Sequence, residues 1–157
     1  MTEIYGEFGI ELYDKKLEEQ VKKLMQLLGE AKIRHTRRDS VVFDYQTPKM
    51  TTPYINEVSD VLCEKIEPFV PVFVNFYQNH KDKCDMNIYF VIYELGEEGV
   101  SIIINHQLLN LAMALGVEIQ FDGLWFITSL PELWGISEQN AWQVLLNKAL
   151  YCSGYGY

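Results

Sequence analysis

The sequence predicts a single α+β domain whose mixed or mostly antiparallel sheet has about six strands, with helices packed on it. Two segments of alternating apolar and polar residues, one near the N-terminus and one near residue 120, indicate strands with one buried face. Apolar residues at helical spacing lie between the predicted strands. The length suits one domain with its own core, so we assign residues 1–157 to it and expect residues 152–157 to fray.

The first predicted unit is a strand followed by a helix. The strand covers residues 4–12, and Asp14 stands where a helix N-cap is expected. The helix should end at Gly29, since glycine commonly closes helices. Its apolar stripe consists of Leu17, Val21, Leu24 and Leu28. Gly6 and Gly9 within the strand indicate a bulge or a close backbone approach.

Two strands and a loop are predicted next. A weaker strand over residues 33–37 and a better one over residues 41–45 are joined by a turn. Residues 47–52 have the composition of a loop.

A long helical region follows that loop. Thr52 can cap its start, with Pro53 in the first turn. Pro68 and Pro71 predict a break, because proline interrupts the hydrogen bonding of a helix. A second packed segment then continues to about residue 79.

The second half begins with a strand over residues 88–93 that is apolar on both faces, as expected of a central strand. The glycine-flanked residues 96–99 predict a hairpin loop, so residues 100–104 should return as a strand. Asn105 can then cap a helix that Gly116 closes.

A strand over residues 117–122 and a last helix over residues 137–149 complete the predicted order β-α-β-β-α-β-β-α-β-α.

The composition disfavours two kinds of partner. The net charge is −9, and a basic patch for phosphate groups is hard to build on that balance, so we expect no nucleic-acid binding. No apolar run reaches the roughly 18 residues that span a bilayer, so we expect no membrane insertion.

The cysteines and the first residues predict a cytoplasmic location. The start lacks a basic region followed by an apolar core, so we expect no signal peptide. Cys63, Cys84 and Cys152 form no C-x-x-C pair, which favours reduced thiols.

Motifs for catalysis or metal binding are missing from the sequence. His35, His80 and His106 have no metal-ligand spacing, and no nucleophile elbow or phosphate loop is present. We therefore expect no cofactor and no metal, and a non-enzymatic protein is favoured. Arg34, Arg37 and Arg38 form a basic cluster that either protects an edge strand or contacts an anion or a partner.

The candidate binding residues are mostly tyrosines. Tyr5, Tyr13, Tyr89 and Tyr93 fall on strand faces opposite the main apolar stripes. Tyrosine is common in interfaces because it offers contact area with a polar tip, but a second layer of helix on that face would explain these residues equally well. Asp122, at the end of a strand, organises a turn or contributes to a site. Trp125 completes the candidate set.

Residues 96–126 carry a family resemblance, in the stretch GEEGVSIIINHQLLNLAMALGVEIQFDGLWF. This pattern of strand, capped leucine-rich helix and alternating strand resembles the bacterial family called domain of unknown function 4279. The resemblance implies an α+β fold and supplies no catalytic residue. Small acidic α+β domains also look like immunity proteins that neutralise bacterial toxins.

Three hypotheses about function follow. The first is a non-enzymatic protein-binding domain with a basic protein partner, in the narrower form an immunity-like partner of a toxin. The second is a small-molecule-binding domain, or an enzyme, with a pocket lined by Tyr and Trp. The third is a self-associating structural domain, since the sequence leaves the oligomeric state open.

Overall fold

A six-stranded mixed sheet organises residues 1–94 and 96–122, which are the residues that this computed structural model describes. The strands are β1 (Glu3–Leu12), β2 (Lys32–His35), β3 (Val41–Gln46), β4 (Met50–Thr51), β5 (Cys84–Glu94) and β6 (Glu118–Asp122). The α-helices are α1 (Glu18–Met25), α2 (Ile55–Ile66), α3 (Val70–Asn79) and α4 (His106–Leu115).

β1 lies at the centre of the strand order β2-β3-β1-β5-β6. One of its edges pairs with β3 and with the short β4, and the other edge pairs with β5. These pairs and β2–β3 are antiparallel, whereas β5 and β6 are parallel. The predicted α+β class, with helices packed on a mixed sheet of about six strands, is confirmed.

The helices and one face of the sheet enclose the core. Ile4, Phe8, Ile10 and Leu12, the even-numbered side chains of β1, are fully buried there. Buried side chains of all four helices belong to the same cluster. The alternation of β1 therefore separates an apolar face, covered by helices, from a more polar one.

Local signals set several helix boundaries as predicted. The Asp14 side chain accepts a hydrogen bond from the Lys16 amide, and that of Asn105 accepts one from the Leu108 amide. Gly116 closes α4 in the left-handed conformation, with φ of 69°. The prolines mark a 3-10 turn, Glu67–Phe69, between α2 and α3, so the predicted break is confirmed.

The predicted return strand over residues 100–104 is wrong. Only Ser101 makes a β-bridge there, to Tyr54. The physical reason is that β5 is already paired on both edges, with β1 and with β6, so a hairpin strand has no edge to join. The short β4, within the segment predicted as a loop, pairs instead with the free end of β1.

The predicted last helix over residues 137–149, and the frayed tail, lie outside the described residues.

Gly6 lies where side chains of α2 pack against β1. A Cβ atom at this position would lie 3.3 Å from Leu62 Cδ2 and 3.3 Å from Phe90 Cε1, with Val58 Cγ1 at 3.5 Å. The sequence predicts a bulge or a close backbone approach at this glycine, and the close approach that the structure shows there is made by side chains.

We expect Gly6→Leu to destabilise the protein by about 1–3 kcal/mol, because overpacking forces neighbouring side chains out of their positions. Urea unfolding measures the loss. Glu3→Leu is the control, since Glu3 lies on the opposite face of the same strand, and it should cost less. An equal loss for the two variants would contradict the close packing of α2 on Gly6.

Candidate functional site

The face of the sheet opposite the four helices carries a mixture of charged groups and tyrosines, and we call it the polar face. Strand register places these side chains on it: Glu3, Tyr5, Glu7 and Glu11 of β1; Lys32 and Arg34 of β2; Val42, Asp44 and Gln46 of β3; Asp85, Asn87, Tyr89 and Val91 of β5; and Glu118, Gln120 and Asp122 of β6. Among the charged ones, Glu3, Glu7, Glu11 and Asp122 are half-buried and Asp44 is buried, so these charges are partly shielded from water.

Four of the predicted site residues come together on the polar face. Tyr5 lies in the central strand, where nearby Glu7, Asp122 and Tyr93 add to the effect of burial in raising its pKa. Tyr89 pairs directly with Glu7 across the β1–β5 ladder. Burial raises the pKa of both Tyr5 and Tyr89, so their hydroxyls stay protonated and can donate hydrogen bonds at neutral pH.

The other two predicted residues are separate from this group. Tyr13 follows the far end of β1, where its hydroxyl donates to Asp85 Oδ2 at 2.6 Å. This hydrogen bond to a carboxylate raises the pKa of Tyr13. Trp125 lies outside the described residues.

A charged cluster at the centre of the polar face is the feature that sequence reasoning missed. Asp44 in β3 is only 2% exposed, and its Oδ2 atom accepts from Arg34 Nη2 at 2.9 Å and from Arg34 Nε at 3.0 Å. The Glu7 carboxyl group in β1 is close enough to interact electrostatically with both Asp44 and Arg34. The sequence does contain a signal for this cluster, because Asp44 directly follows three apolar residues in the strand sequence VVFDYQ.

Both carboxyl groups of this cluster are perturbed. Burial raises the pKa of Asp44, while the Arg34 guanidinium lowers it. Burial also raises the pKa of Glu7, and the charge of Asp44 raises it further. Holding both groups ionised therefore costs free energy in this partly desolvated position.

Gly9 provides the space for Asp44. A Cβ atom on Gly9 would lie 2.5 Å from Asp44 Oδ1, so the carboxyl group lies directly over this glycine. The close approach predicted at Gly9 is thus made by a side chain of the neighbouring strand.

The buried cysteines have no features of nucleophiles. Burial raises the pKa of Cys63 to about 12 and that of Cys84 to about 11, with nearby acidic residues adding to the effect. Both thiols are free and protonated at neutral pH. The neighbouring Lys83 does not lower the pKa of Cys84 below its ordinary value.

Outside the polar face, the described residues show fewer features of a binding or catalytic site. An open groove of about 680 Å³ lies at the β2–β3 end of the sheet, and Tyr45 is the aromatic side chain in its lining. In residues 1–94 and 96–122, no three His, Cys, Asp or Glu side chains converge as metal ligands. No helix in these ranges is long and apolar enough to cross a membrane.

Comparison with known proteins adds no relative. No protein-family model, no curated protein and no solved structure matches the chain. The resemblance to domain of unknown function 4279 therefore stays a prediction.

The raised pKa of Glu7 predicts a pH-dependent stability. The folded state binds the Glu7 proton more tightly than the unfolded state, whose carboxyl has the ordinary pKa of 4.5. The contribution of Glu7 to stability is therefore greatest below pH 4.5 and falls as the pH rises through the raised pKa.

Glu7→Gln removes this titration. The free energy of unfolding of the variant, relative to that of the wild type, should increase between pH 4 and pH 7, as measured by urea unfolding across this range. Glu19→Gln, at an exposed position of α1, should follow the wild type. A constant difference between Glu7→Gln and the wild type would show that burial leaves Glu7 unperturbed.

Proposed function

We propose that this protein is a non-enzymatic binding domain that holds a basic protein partner on its polar face. One observation carries the proposal, namely the unequal charge of that face. The described acidic side chains on it are Glu3, Glu7, Glu11, Asp44, Asp85, Glu118 and Asp122, against the basic Lys32 and Arg34, and Lys49, which lies over the ring of Tyr93.

The charge of the polar face and its tyrosines both suit a basic protein partner. A surface with one dominant sign of charge attracts an oppositely charged protein and speeds its encounter. Tyr5 and Tyr89 add flat contact area with polar tips among the carboxylates, while the ring of Tyr93 is in contact with the Lys49 ammonium group, 3.1 Å from its centroid. Partial burial strengthens these interactions, because fewer waters screen the charges.

An immunity-like role is the narrower form of the proposal, in which the basic partner is a bacterial toxin and the complex forms in the cytoplasm. Its support is the analogy with small acidic α+β domains together with the net charge of −9. The small-molecule hypothesis would need a cavity lined by Tyr and Trp, whereas the groove at the β2–β3 end has one tyrosine in its lining.

Two charge-reversal variants with equal net charge test the proposal. Glu3→Lys combined with Glu118→Lys changes the polar face, while Glu19→Lys combined with Glu57→Lys makes the same change on helices α1 and α2. Each protein is immobilised to capture partners from the source cells, and the captured protein is then purified for affinity and rate measurements.

We expect a basic protein that binds the wild type with micromolar or lower Kd. The polar-face variant should bind it at least about tenfold more weakly, mainly through slower association, because surface charges act on encounter. The helix-side variant should stay within about threefold of the wild type. Failure to capture a partner, or equal losses for the two variants, would count against the polar face as the binding surface.

A further inference from the structure

The carboxyl group of Asp44 is only half satisfied. Both nitrogens that Arg34 directs at it approach the same oxygen, Oδ2, at 2.9 and 3.0 Å. A two-pronged arginine–carboxylate pair uses both oxygens. Here Asp44 Oδ1 is buried and has no hydrogen-bond partner among the described residues. A buried acceptor on a charged group that lacks a donor is unfavourable, so this atom has capacity for a further N–H group.

Two carboxyl groups, Asp44 and Glu7, share the cations Arg34 and Lys32. The charges of both cations lower the pKa of each carboxyl group, but burial keeps both pKa values raised. Glu7 lies nearby on β1, and its carboxyl group interacts with the charge of Asp44. The ammonium group of Lys32 donates to the side-chain oxygen of Gln46, which leaves Arg34 as the cation bound directly to Asp44 in the described structure. Because burial outweighs the effect of these two cations, one more cation would stabilise the ionised carboxyl groups of the cluster.

The missing group must combine a positive charge with several N–H donors. A guanidinium meets both conditions, because its planar fork can donate to two carboxyl groups and can also stack on a tyrosine ring. Tyr89 is positioned beside Glu7 for such stacking. The Arg34 side chain is 62% exposed, so the Arg34–Asp44 pair borders solvent, from which a second guanidinium would approach.

We propose that Asp44 and Glu7 form a site for one arginine side chain of the basic partner. Asp44 Oδ1 and the Glu7 carboxylate accept its N–H groups, and Tyr89 flanks the guanidinium. This inference rests on the proposed function, since it names the chemistry by which the polar face anchors its partner.

The test uses peptides of defined charge with the full-length protein. Hexa-arginine is the probe, and hexa-citrulline keeps its planar shape and some of its N–H groups without the charge. Hexa-lysine keeps the charge without the planar fork. Titration calorimetry gives Kd for each, and amide NMR shifts of the wild-type protein locate the binding.

We expect hexa-arginine to bind at least about tenfold more tightly than hexa-citrulline, and more tightly than hexa-lysine. The largest NMR shifts should fall on Glu7, Gly9 and Asp44. Glu7→Gln and Asp44→Asn should each weaken hexa-arginine by about tenfold or more. Glu19→Gln and Glu57→Gln remove the same charge from exposed helix positions and should change Kd less than twofold.

Equal losses in all four variants would reduce the binding to general attraction by an acidic protein and would overturn the site. NMR shifts confined to the helix-covered side would do the same, without any variant having to fold. A captured partner that is weakened by the Glu3→Lys and Glu118→Lys pair but unaffected by Glu7→Gln would also reject the arginine site, while leaving the proposed function in place.

Discussion

The pairing of β1 on both of its edges is the constraint on which the rest of the structure depends. β5 follows it along one edge from Glu3 to Leu12, and β3 and β4 share the other. A strand held in this way cannot rotate or shift by one residue without exchanging its two faces. The fully buried Ile4, Phe8, Ile10 and Leu12 make such an exchange prohibitively unfavourable, because apolar side chains would move into water.

This same constraint concentrates charge on the polar face. Because the even-numbered residues of β1 are committed to the core, Glu7 is held on the other side beside Asp44 and Arg34 from neighbouring strands. The rigid ladder prevents the carboxyl groups from separating, and partial burial raises the pKa of each. Such an arrangement is costly for folding alone, which is why a cationic partner is the explanation that we favour for it.

Local patterns predicted the elements whose determinants are local. The alternation of β1, the caps at Asp14 and Asn105 and the glycine at the end of α4 depend on residues a few positions apart, and the structure agrees with each. The return strand after the glycine turn failed for the opposite reason. Its existence depended on a free edge of β5, and that edge is occupied by β6, which comes later in the chain.

By itself, the sequence determined the α+β class, the buried stripes and the side of the sheet on which Tyr5 and Tyr89 lie, because these follow from periods of two and 3.6 residues. Only the tertiary structure decided the strand order and the cluster of Glu7, Asp44 and Arg34. Those three residues belong to three different strands, and their approach depends on which strands become neighbours. The pairing of distant segments is a property of the whole packed sheet, so no local pattern carries it.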